Sequence, residues 1–287
     1  LSLADSIGAT ALHLEFSADG ATTAALDSVA RALEARRDSV RLIVTLDLGS
    51  TLARGRGSEG ARQQRMALIE RVVRRLRPDV LVPAARTALS GNADLTWWQT
   101  YYGQVAATVR RANRSVAVAL PVTSASAADS TLAEWVLQGS SELAALAVTA
   151  QTADTPRQFA ATLHAVARWA SFARDAPMVW VLGTPSAPAA TGEVVHQRVV
   201  RFALDWSAAH PWVRGVIAGD ASDGLTPVGL RTATGRPRRA LEEVRTVLRL
   251  RRDMPPALID PRAAPSPDTP PAPTVRSPAD SLPVPSP

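Results

Sequence analysis

Short, almost continuously apolar runs recur along this chain, and each is followed by a stretch whose apolar residues fall three and four apart. Val40-Arg-Leu-Ile-Val-Thr-Leu-Asp47 is one such run, and behind it Ala61 to Arg77 places Met66, Ile69, Val72, Val73 and Leu76 on one helical face. A strand that reads apolar at nearly every position is one covered on both faces, which is the condition of a parallel sheet sheathed in helices. Ala9 to Phe16 alternates Leu12, Leu14 and Phe16 with His13 and Glu15 in period two and feeds a helical stretch over Ala21 to Arg37. The same alternation continues with strand Asp79 to Ala85, a helix opening at Thr96, strand Val116 to Val122, helix Ser130 to Leu137 and strand Leu143 to Ala150. Helix Pro156 to Ala173, strand Met178 to Leu182, helix Glu193 to Ala209, strand Val213 to Ala218 and helix Arg239 to Arg252 complete it.

Strand-helix order with short connections predicts a parallel sheet with right-handed crossovers. The 287 residues suit an α/β barrel of about 250 residues plus an extension. The expected fold is therefore an α/β (β/α)8 TIM-type barrel over 1–252. About seven strands are visible, and Leu1 to Gly8 reads as the end of a helix, so the remaining strand is expected upstream of Leu1, together with a signal sequence or anchor. A doubly wound open sheet is the alternative, but no Gly-rich phosphate loop follows the first strand. Residues 253–287 are a run of Pro, Ala, Ser, Thr and Asp too poor in apolar side chains to fold alone, and are expected to be an extended Pro-rich tail.

Composition narrows the chemistry. The chain has no cysteine, which excludes thiolate catalysis, disulfides and cysteine metal sites, and four scattered histidines leave little for any other metal centre. No metal and no cofactor is expected. All 32 basic residues are arginine against 26 acids, a formal charge of +6 that favours anionic neighbours such as acidic proteins or lipid headgroups. The arginines are spread over many helices with no aromatic-rich basic groove, so nucleic acid is not an expected partner. No apolar run approaches the roughly 20 residues that span a bilayer.

The segment Ala176 to Ala240 carries a resemblance. It holds the strand Met178 to Leu182, Gly183-Thr-Pro, a helix, the strand Val213 to Ala218 and the closing turn Gly229-Leu230 to Gly235-Arg-Pro237 and Ala240. This arrangement resembles the end of the retaining glycoside hydrolases with TIM-barrel folds. In that superfamily an acid/base and a nucleophilic carboxylate stand at the ends of strands 4 and 7, about 5 to 5.5 Å apart. Counting one strand upstream, the resemblance places the acid/base at Ala84-Ala85 or Ala85-Arg86 and the nucleophile at Gly183, and none of these residues is a carboxylate. The resemblance thus implies a carbohydrate-cleaving ancestor and a catalytically degenerate member, with no catalytic residue assigned.

Other carboxylates suit the catalytic face. Asp47, Asp220 and Asp223 follow strands and could form a displaced acid pair with Trp97 as a sugar platform, although loop aspartates more often accept local backbone hydrogen bonds. His13 and Glu15 share one face of the first strand, where a buried, hydrogen-bonded pair is the first reading. In Trp97-Trp98-Gln-Thr-Tyr101-Tyr102, Trp98 and Tyr102 are spaced to pack on the barrel, which leaves Trp97 or Tyr101 for a partner contact. The last helix presents Arg245, Arg249, Arg251 and Arg252 beside Pro255 and Pro256, a surface suited to an acidic protein or anionic headgroups. The expected function is a non-catalytic, extracytoplasmic scaffold subunit peripheral to the membrane, bound to other subunits through its tail and last helix. An extrinsic subunit of a bacterial photosynthetic reaction-centre and antenna assembly would be one such setting. A glycan-binding protein or weakly active glycosidase is the alternative.

Overall fold

The computed structural model describes residues 7–18, 20–47, 58–85, 92–138, 145–149, 155–173, 177–183, 192–218, 230–232 and 234–253. The chain divides into two units, Leu1–Arg249 and Leu250–Pro287. Among the described residues the first holds seven strands in the order β1 to β7: Ala11–Ser17, Arg41–Asp47, Val80–Val82, Ala117–Val122, Ala145–Thr149, Met178–Leu182 and Val213–Ile217. Every neighbouring pair is parallel. The helices between them are α1 (Thr23–Leu33), α2 (Glu59–Leu76), α3 (Asn92–Ala112), α4 (Ala127–Leu137), α5 (Pro156–Ala170) and α6 (Gly192–Ala208); α7 (Arg239–Asp253) follows β7. Among the described residues this is the parallel strand-helix alternation of a TIM-type barrel, with seven strands in a half-barrel where the expected closed barrel has eight.

Polar side chains start the helices where the sequence supplies them. Thr22, Ser58 and Ser126 accept the N–H three residues on, at Ala25, Ala61 and Asp129. Thr155 and Gln158 form a reciprocal capping box ahead of Pro156. α2 stops at Arg77, whose φ of 44° is left-handed, immediately before Pro78. α4 begins at Ala127, three residues ahead of the predicted Ser130, because Ser126 caps it.

The two faces of the strands have separate cores. Leu42, Val44 and Leu46 of β2 pack outward with Ile69, Val72 and Val73 of α2, and Leu12, Leu14 and Phe16 of β1 join the same layer. Ile43, Val80, Val82, Ala119, Ala145, Ala147, Trp180 and Leu182 fill the interior, with Ala11, Ala117 and Ile217 against them. Trp180 fits inside the barrel because its neighbours across the register are Ala147 and Gly215. A third cluster joins Val200 of α6 to Leu230 and to Ala240, Leu241 and Val244 of α7.

The closing turn explains its own glycine. Arg231 bridges Pro237, Thr232 N–H donates to the Arg236 carbonyl at 2.8 Å, and Gly235 donates back to the Thr232 carbonyl with φ of +84°. Only glycine takes that left-handed conformation without steric cost. Leu230, at 4% exposure, pins the turn to the α7 layer.

Candidate functional site

In a parallel barrel, chemistry belongs at the C-terminal ends of the strands. At the end of β3, Ala84 is buried and Ala85 half-buried, while Arg86 lies outside the described residues. At the end of β6, Gly183 donates its N–H to the Ile217 carbonyl at 2.8 Å and turns at φ +88°. Neither strand end among these residues bears a carboxylate.

The barrel mouth does hold acids elsewhere. Alternation from inward Ala11 carries His13 and Glu15 onto the interior face of β1, and alternation from inward Ile43 carries Thr45 and Asp47 onto that of β2. His13 Nε2 and Thr45 Oγ1 lie 2.8 Å apart across the two strands. Burial pushes the His13 imidazole down to about 4, so it is neutral at pH 7 and serves as a hydrogen-bonding group. Glu15 stands opposite Thr45 in register, and Asp47 follows two residues on, so two exposed carboxylates share the rim above this pair. Sequence reading singles out all three ionisable groups; strand adjacency, which sequence does not give, brings them together. Asp220 and Asp223 lie outside the described residues.

Trp97 lies near the start of α3. It stacks on Tyr101 with centroids 5.3 Å apart and planes 5° from parallel. With Glu59, Arg62 and Arg65 of α2 and Gln104 of α3 it lines a cleft of about 200 Å³ between the two helices. Asp47 is not among the residues that line this cleft. Tyr101 departs from the expectation of a partner contact. It is 3% exposed and donates its hydroxyl to the Pro83 carbonyl at 2.9 Å, because the tryptophan and tyrosine rings turn edge and face into one cluster with Trp98 and Tyr102. Trp97 remains half-buried.

One buried acid escaped the sequence reading. Asp129, 3% exposed, accepts the N–H groups of Thr123 and Ser124 at 2.9 and 2.7 Å on one carboxylate oxygen, and the hydroxyls of both residues donate to the same atom. It fixes the turn from β4 into α4 at the same end of the barrel. The signal is the Ser126-x-x-Asp129 spacing of a helix start. His196 is buried, at 4% exposure, and the Nδ1 of His210 lies 2.7 Å from the Trp206 carbonyl at the end of α6.

On α7, Arg245 pairs with Glu242 one turn back and Arg249 is exposed. The side chains of Arg251 and Arg252 lie outside the described residues, as do Pro255 and Pro256. Among the described residues no cluster of three or more His, Asp or Glu side chains could hold a metal, and no helix is long and apolar enough to cross a membrane.

No protein-family model and no curated protein matches this sequence. Solved structures do match its shape. Over 87% of its length the chain is similar to the β-glycosidase BGL167, with a TM-score of 0.65 and 14% identity, covering 84% of that chain. The likeness is one of fold. A monomeric β-xylosidase from Caulobacter crescentus CB15 is similar over 86% of this chain at TM-score 0.59 and 10% identity, with 63% of the xylosidase covered. The β-D-glucuronidase of Dictyoglomus thermophilum is similar over 88% at TM-score 0.57 and 10% identity, and this chain spans 46% of its length. The neighbours are glycoside hydrolases with TIM-type barrels, as the closing turn and strand spacing suggest.

Proposed function

We propose that this protein is a glycosidase-like barrel without glycosidase chemistry, used as an extracytoplasmic accessory or scaffold subunit of a larger, membrane-associated assembly. The observation that carries the proposal is the pair of strand ends: Ala84-Ala85 stands where an acid/base is needed and Gly183 where a nucleophile is needed. A retaining glycosidase needs both carboxylates flanking one bond. The barrel is otherwise kept, with its inner and outer cores filled, and a fold retained without its reaction is available for binding. The exposed Arg249 and the arginine-rich end of α7 favour an acidic protein surface or anionic headgroups.

Extraction of the full-length chain in mild detergent, followed by native sizing and crosslinking, tests the proposal. Co-migration with a constant set of partners, lost on deleting residues 253–287, supports it. A free monomer with no crosslinked partner overturns it.

Glu15 and Asp47 on one rim favour a second reading, glycan binding or weak hydrolysis in the barrel mouth. Glycan-dependent quenching of tryptophan fluorescence, or release of nitrophenol from aryl glycosides, that disappears in both Glu15→Gln and Asp47→Asn would establish it instead.

A further inference from the structure

Each helix of a parallel barrel runs back to where the next strand begins, so α2, α3 and α5 end together at the face opposite the mouth. Arginine collects there. A basic residue in a last turn is the ordinary complement of the helix dipole; the acids that would neutralise these arginines are what this face lacks. Arg74 and Arg75 of α2 are paired, with Glu70 at 2.7 Å and Asp27 at 2.9 Å. Arg77 behind α2, Arg111 and Arg114 at the end of α3, and Arg168 in the last turn of α5 are exposed and form no ion pair among the described residues. The sequence gives the reason. No Asp or Glu stands between Asp94 and Asp129 or between Asp154 and Asp175, so α3 beyond its first turn and the whole of α5 carry none.

The second, independent feature is apolar. Phe172, two residues past the end of α5 and one turn beyond Arg168, is 80% exposed. Every other Phe, Trp and Tyr of the chain is buried or half-buried. Val194, also exposed, lies at the start of α6 and so at the other end of the barrel. Phe172 is therefore a single ring among cations. A protein interface sets its aromatic anchor in the centre of a packed apolar patch. A lipid surface needs no such patch: one ring enters the headgroup layer while the surrounding guanidinium groups stay with the phosphates.

We propose that the strand-start end of this barrel docks on an anionic lipid bilayer, with Phe172 inserted among the headgroups and Arg77, Arg111, Arg114 and Arg168 on lipid phosphates. The inference rests on the reading of a membrane-associated subunit and names the face that meets the lipid, which turns the barrel mouth away from the bilayer.

Co-sedimentation of the purified full chain with vesicles of phosphatidylcholine, alone or mixed with phosphatidylglycerol, tests it. Pelleting with the mixed vesicles only is expected, weakening as salt is raised. Arg168→Ser is expected to weaken binding about fivefold, the contribution of one arginine at an anionic surface, and Phe172→Ser by a similar factor. Arg157→Ser removes the same charge from the exposed start of the same helix, at the other end of the barrel, and is expected to change nothing. Absence of pelleting with mixed vesicles overturns the inference, as does binding that survives Arg168→Ser and Phe172→Ser, or that falls equally in Arg157→Ser through net charge alone. Capture on immobilised polyglutamate without vesicle binding assigns the arginines to an acidic protein and overturns it too. A constant set of crosslinked partners without vesicle binding defeats this inference and leaves the scaffold reading standing; vesicle binding by a chain with no crosslinked partner does the reverse.

Discussion

The Trp180 ring lies where a side chain at Gly215 would go: a Cβ built on Gly215 stands 2.5 Å from Cζ3 and 3.0 Å from Cε3 of the indole. The contact joins β6 to β7 at the point where their register shifts by one residue, between Val179 and Trp180. The barrel interior on this side is one large ring set among Ala145, Ala147 and a glycine.

Replacing Gly215 by alanine therefore forces the indole out of its place against β7. Overpacking of this kind costs about 1–3 kcal/mol. Urea unfolding of Gly215→Ala is expected to show a lower midpoint by that amount, and the double variant Gly215→Ala with Trp180→Leu is expected to recover part of it. Additive losses in the double variant would mean that the two residues do not share this space.

Asp129 is expected to be the most sensitive polar position described. Its removal leaves the buried N–H groups of Thr123 and Ser124 without their acceptor. Asp129→Ala should cost about 2–4 kcal/mol and Asp129→Asn less, since one oxygen remains to accept. Thermal or denaturant unfolding of both variants checks the order, and a loss below about 1 kcal/mol in the alanine variant contradicts it.

Much of this architecture is legible in the residues. The continuous apolar run of β2 and the three-four spacing of α2 identify a helix-covered parallel strand, and Gly229-Leu230, Gly235 and Pro237 identify the closing turn. Burial within the aromatic cluster is not legible, because Trp97 and Tyr101 are one turn apart on the same helix face yet the hydroxyl of Tyr101 finds the Pro83 carbonyl on another element.

Adding a single carboxylate at the end of β6 should not by itself produce a glycosidase. Gly183 sits at φ +88°, where a side chain costs about 1–2 kcal/mol. Gly183→Glu is expected to lower stability by that amount and to leave hydrolysis of 4-nitrophenyl β-glycosides at background, because Ala84-Ala85 offers no acid to the leaving group. Measurable turnover in this variant would mean that another group in the mouth, Glu15 or Asp47, already supplies the proton.

His13 gives the barrel a pH dependence whose sign is fixed. Burial lowers its folded value to about 4 from 6.5, so between those values the unfolded chain binds a proton that the folded chain does not. Stability is then full above about pH 6.5 and falls as the pH drops towards the folded value, by up to about 2 kcal/mol at pH 5 for this one group. His13→Gln keeps a hydrogen-bonding group near Thr45 and removes the titration. Urea unfolding of the two proteins at about pH 7.5 and pH 5 is expected to show the larger loss in the wild-type chain. Equal losses would mean that the imidazole in the mouth is already hydrated, and that the His13–Thr45 bond contributes nothing to the acid sensitivity of the fold.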